Sequence, residues 1–192
     1  PVPEPASHQM LINTVCRYSL LLLVLLLPAG VVQAQPEPRV GELSYLGRQF
    51  MAQQRALLEE LAATNLGRRF NGQRDKDLEL LQLLLDRKLV RSEQARELQA
   101  MGIIMGDLLA KEHDLRWVVY EDELGRSRAL RDDVSDTYLF PVTMISRRRV
   151  VDNTTPVADI YTRASTIITE QRPGRPFQQK NGNQGLQSLD LP

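Results

Sequence analysis

Few residues in this chain have types and spacings suited to chemistry, and the most distinctive are basic. Arg147-Arg148-Arg149 places three guanidinium groups in succession after the β-prone run Thr137 to Ser146. Guanidinium forks grip carboxylates and phosphates at two points, so a peptide, a glycan phosphate or a partner surface suits them as ligand. In an extended segment Arg147 and Arg149 point one way and Arg148 the other. The competing reading pairs them with the acidic loop of Asp132, Asp133 and Asp136, or leaves them in solvent. Trp117 and Tyr138 could line a ligand groove, although aromatic side chains more often fill a core.

Catalytic patterns are weaker. Gly125-Arg126-Ser127-Arg128-Ala129 misses the G-x-S-x-G nucleophile elbow by one residue. Its serine opens a strand after a hairpin turn, whereas the elbow stands between a strand and a helix. His113 precedes that serine, against the order used by hydrolases with this elbow. Lys111-Glu112-His113-Asp114 offers metal-ligating types, but adjacent helix positions do not share a face, and a solvated helix end is the simpler reading. Glu121, Asp122 and Glu123 supply carboxylates for glycan hydrolysis, yet they crowd one turn where a cleft needs them ~5–9 Å apart. We therefore expect no metal site and no cofactor. An envelope hydrolase using Glu121, Asp122 or His113 stands as the alternative to a binding protein.

Charge and cysteine usage narrow the setting. Lys and Arg number 24, Asp and Glu 24, which removes the broad positive field of a nucleic-acid binder, so no nucleic-acid partner is expected. From Met10 the chain reads as an export signal, with Arg17, the Leu/Val run Leu20 to Leu27, a break at Pro28 to Gly30, and small residues at Val32-Gln33-Ala34. Tyr18 to Val32 falls short of the ~20 residues of a spanning helix. Cleavage near Ala34 and a periplasmic or secreted product are expected, with membrane attachment only through an uncleaved signal anchor. Cys16 precedes the apolar run, so the cleaved chain would hold no disulfide, thiolate zinc site or cysteine nucleophile.

The elements that must position these residues follow from periodicity. Residues 1–34 are assigned to upstream sequence and signal peptide, 35–41 to a leader, 42–171 to one domain and 172–192 to a disordered Pro/Gly/Gln/Asn tail. Leucine stripes predict a first helix over Glu42 to Asn65, stopped by Gly67, and a second capped by Asp75. A third, capped by Ser92, carries Leu98, Met101, Gly102, Met105, Leu108 and Leu109 on one face. Gly102 and Gly106 lie four apart on that helix; each costs ~1 kcal/mol relative to alanine, which close approach of another element would offset. Arg116 to Glu121 predicts a strand, Gly125 a turn with positive φ, and Ser127 to Leu130 a returning strand. Pro141 must end, bend or edge the next strand. Thr154-Thr155-Pro156 starts a final helix with Pro156 at its first position.

The run LQAMGIIMGDLLAKEHDLRWVVYEDELGRSRAL, with YLFPVTMISRRR and PVADIYTRAS, resembles a family of exported bacterial proteins known only as domain of unknown function 3806. The resemblance spans roughly Leu43 to Thr169, implies a bacterial envelope setting and supplies no activity. Together the readings give an α+β domain: N-terminal helices, a small antiparallel sheet, and a C-terminal helix packed on the sheet. Its expected role is binding to an unknown protein or envelope component, without catalysis.

Overall fold

Leu98 to Leu109 is the most continuously apolar stretch after the N-terminal Leu/Val run, and the fold is laid around the helix it forms. The computed structural model describes residues 37–173. In chain order these form β1 (Arg39–Glu42), α1 (Tyr45–Leu66), α2 (Arg74–Asp86), α3 (Ala95–His113), β2 (Arg116–Asp122), β3 (Gly125–Asp132), β4 (Thr137–Leu139), α4 (Pro141–Met144), α5 (Ser146–Val150) and α6 (Val157–Gln171). This is the expected α+β class: helices and a four-stranded antiparallel sheet in the order β1-β2-β3-β4.

Nearly the whole circumference of α3 is buried, from Leu98 through Leu109. Leu58 and Ala62 of α1, Leu81 and Leu84 of α2, and Ile160, Ala164 and Ile168 of α6 join it in one core. Trp117, Leu130 and Leu139 stand in register across β2, β3 and β4 and extend that core onto one sheet face. On the other face Val118 pairs with Ala129, and both are fully buried. Tyr120 of β2 and Tyr138 of β4 flank small Ala129 on that face, and their rings meet at 5.0 Å across it. Helix α6 closes the core mainly against α2 and α3 and reaches the sheet at β4.

Several boundaries differ from expectation. The supposed leader contributes β1, whose Arg39 pairs with Glu121 at the sheet edge. Helix α2 starts at Arg74, not at an Asp75 cap, because the buried Asp77 carboxylate takes the Asn71 and Gly72 N–H groups at 3.0 and 2.7 Å. Helix α3 starts after Gln94, whose side chain accepts from Arg91 N, so Ser92 is not its cap. The β-prone run stops at Leu139, and Pro141, which lacks an N–H, opens α4 at a position where none is needed. At α6 the Val157 N–H is met by Gln82 Oε1 at 2.9 Å rather than by a threonine cap, and Pro156 precedes the helix. Arg172, assigned to the tail, is anchored to the fully buried Asp132 at 2.9 Å. The signal segment and the tail from residue 174 onward lie outside the described residues.

Candidate functional site

Strand β4 pairs with β3 only over Leu130–Asp132. Among the described residues no strand continues along the outer side of Gly125–Ala129. A cavity of about 490 Å³ opens between this stretch and the segment Phe140–Arg147. Arg126, Arg128 and Arg147 line it together with Tyr120 and Phe140, whose rings meet edge to face at 5.3 Å. Leu124 at the hairpin tip, also lining the cavity, is 97% exposed.

The three arginines are held differently. Arg126 meets Glu121 at 3.3 Å, and both side chains are exposed, so the pair contributes little. Arg128 lies over the Phe50 ring of α1 at 4.2 Å, and burial pushes its guanidinium below its ordinary pKa. Arg147 is exposed on α5. Among the described residues neither Arg128 nor Arg147 has a carboxylate partner. Three other partly buried arginines do have one: Arg55 grips Asp107 at 2.6 and 2.7 Å, Arg131 meets Asp136 at 2.8 Å, and Arg172 meets Asp132.

The arginine triplet does not act as one surface. It is helical rather than extended, so successive side chains turn by ~100°. Arg147 faces the cavity; Arg148 donates to Met144 O at 2.6 Å and Arg149 to Thr155 O at 3.3 Å, both bracing the local backbone. Nor does the acidic loop pair with the triplet. Arg116 and Arg131 are register partners, two like charges side by side, and Asp133 bridges them at 3.0 and 3.3 Å. Asp132 is taken by Arg172.

Trp117 and Tyr138 do not line the cavity. Trp117 donates from Nε1 to Asp107 Oδ1 at 3.0 Å and covers Gly106, while the Tyr138 hydroxyl donates to Asp136 at 3.1 Å. Gly102 backs onto the Pro141 and Val142 carbonyls, and Gly125 sits at φ 121° in the turn. Arg126 and Arg128 escaped attention in the sequence; their alternation in Arg126-Ser127-Arg128, which puts both on one strand face, was the available signal.

The residues considered for catalysis do not converge. His113 is not a solvated helix end: its side chain is 9% exposed, and its Nε2 lies 2.7 Å from Ser165 Oγ. Ser165 sits inside α6, where backbone N–H groups are used by the helix and none is free as an oxyanion donor. Glu121 and Asp122 lie at the far end of β2 from His113, roughly 20 Å along the strand. Asp122 accepts the Leu124 N–H at 2.9 Å within the turn. Glu112 accepts the Tyr161 hydroxyl at 2.7 Å; burial, then this carboxylate, raise that hydroxyl's pKa. In a second cavity, of about 380 Å³ between α1 and α3, Arg55 is paired with Asp107 and Lys111 donates to Gly72 O. Among the described residues no group of His, Cys, Asp and Glu could hold a metal ion, and no helix is long and apolar enough to cross a membrane.

Comparison with known proteins adds a fold and a family. No curated protein matches the chain. A crystal structure from Bacteroides thetaiotaomicron VPI-5482 is similar, with a TM-score of 0.61 at 16% identity, covering 68% of this chain and 48% of that one. The chain thus spans about half the length of that protein, and the likeness concerns the fold alone. Residues 77–161 match the family described as Domain of unknown function (DUF3806), a segment that runs from α2 into α6 and contains every residue lining the cavity beside β3. By this match the segment 77–161 is assigned to that family of unknown function.

Proposed function

We propose that this is a binding domain and that the cavity between the β2–β3 hairpin and α4–α5 takes an anionic ligand on Arg126, Arg128 and Arg147. One observation carries the reading: Arg128 is drawn out of water yet has no carboxylate among the described residues. A partly desolvated cation is costly without a partner: Arg55, Arg131 and Arg172 have carboxylates, and Arg148 and Arg149 donate to backbone carbonyls, whereas Arg128 has neither kind of partner among the described residues. The ring of Phe50 offsets part of the cost, and a ligand carboxylate or phosphate would supply the rest. The proposed setting is the bacterial periplasm, on the strength of Arg17, Leu20 to Leu27 and Val32-Gln33-Ala34.

The test uses Arg126→Ser with Arg147→Ser, titrated calorimetrically with polyglutamate at low salt. Both side chains are largely exposed, so the melting temperature should move little. Polyglutamate affinity should fall at least tenfold, and the salt dependence of binding should become shallower. Equal affinity in the variant and the native chain would move the site elsewhere.

A further inference from the structure

Resting on that reading, we propose that the ligand is an extended acidic peptide that joins the sheet as a strand along the outer edge of β3, from Gly125 to Ala129. Two independent features of the edge lead there. The first is vacancy in the ladder: β3 is eight residues long, and β4 covers only the last three. The N–H and C=O groups that alternate residues of Gly125–Ala129 turn outward are met by no strand among the described residues. An unpaired strand edge is a template for another strand, and main-chain hydrogen bonds supply the affinity.

The second feature is charge at the strand period. Arg126 and Arg128 are two apart on β3 and share a face; on β2 they oppose Glu121 and Val119. In an added strand the residues facing them would also be two apart, with Cβ atoms ~4.5–5.5 Å from the arginine Cβ atoms. Acidic residues at alternate positions therefore complement the edge; a run of adjacent acids does so too, but also puts carboxylates at the intervening positions, which face the other way. Intervening residues would face the side of Ser127, where Tyr120 and Phe140 line the cavity, so small apolar side chains fit there. Arg147 stands across the cavity from the strand and closes the charge pocket.

The same arginines could instead guard the edge against pairing, since charged side chains are a common defence of exposed strands. The two roles differ in what they do to an acidic strand, and that difference is measurable. The probe is a synthetic peptide of alternating Glu and Val with blocked ends, titrated into the full chain at low salt. Two further versions carry N-methyl groups on every Glu or on every Val; charge is preserved and ladder hydrogen bonds on one side of the strand are removed. We expect the parent to bind, one methylated version to bind at least tenfold more weakly, and the other to match the parent, because only one set of N–H groups faces β3. Equal binding by all three peptides would overturn strand addition while leaving an anion site in place. Failure of the parent together with failure of polyglutamate would overturn the binding site itself. Polyglutamate binding without the alternating peptide would overturn the peptide proposal alone.

Discussion

Gly106→Ala adds one methyl group to the most buried helix and should destabilise the domain. The new Cβ would lie 2.5 Å from Trp117 Cζ2, 2.8 Å from Cη2 and 3.0 Å from Pro141 Cβ. The indole cannot slide freely, because Nε1 is tied to Asp107 at 3.0 Å and Asp107 is gripped by Arg55. Overpacking of this kind costs about 1–3 kcal/mol, and alanine returns about 1 kcal/mol of helix propensity. Approaches of 2.5 and 2.8 Å to a tethered ring put the cost in the upper half of that range, so the net loss is about 1–2 kcal/mol, or roughly 4–8 °C in melting temperature for a domain of this size. Gly47→Ala in α1 is the matched control. There the nearest atom is the Ser44 hydroxyl oxygen at 3.3 Å, so part of the propensity gain should appear as stabilisation. The mechanism has a further signature, since the two clashing atoms belong to the indole's six-membered ring. In a Trp117→Phe background the cost of Gly106→Ala should shrink, giving a favourable coupling energy of about 1 kcal/mol in a double-mutant cycle. Thermal melts and urea titrations of the four proteins decide it. A Gly106→Ala melting temperature at or above the native value would refute the packing argument.

Two further outcomes follow from other contacts. Asp132→Asn should cost roughly 2–3 kcal/mol at pH 7, because it leaves the Arg172 fork facing a neutral amide at a fully buried site. Arg172 above all, then Ser135 and the Val134 N–H, hold the Asp132 carboxyl well below its ordinary pKa. Its contribution is therefore complete above ~4 and fades as pH falls through the acid range, so native and variant urea midpoints should converge toward pH 2. Constant separation across that range would contradict the assignment. Gly102→Ala should be worse than Gly106→Ala, since its Cβ would fall on the backbone carbonyls of Pro141 and Val142, which no side-chain rotation can relieve. A smaller melting-temperature loss at Gly102 would show that α4 yields easily.

What could be read in the sequence was what local periodicity controls. The stripes of α1, α2, α3 and α6 follow the 3.6-residue period, and Arg116 to Glu121 carries strand composition. What was hidden depended on partners distant in the chain. Strand β1 is four residues long beside prolines, and only its pairing with β2 makes it a strand. His113 finds Ser165 across 52 residues, so its charged sequence neighbours misrepresented its surroundings. The triplet Arg147-Arg148-Arg149 looked extended because β-prone residues precede it, but Pro141 opens a helix and buried Ile145 anchors the next one. The cavity itself comes from β4 stopping short, a length set by where α4 packs on Gly102, and no single segment encodes that.

Backbone chemical-shift mapping of the full chain with the alternating Glu/Val peptide tests the central claim most directly. The account predicts that saturable shifts cluster at Gly125–Ala129, Phe140–Thr143 and Arg147, with the Arg128 side-chain Nε–H among those that move most. Saturable shifts centred on the α2–α6 groove around Gln82, or on Arg148 and Arg149 without Arg126 and Arg128, would contradict it.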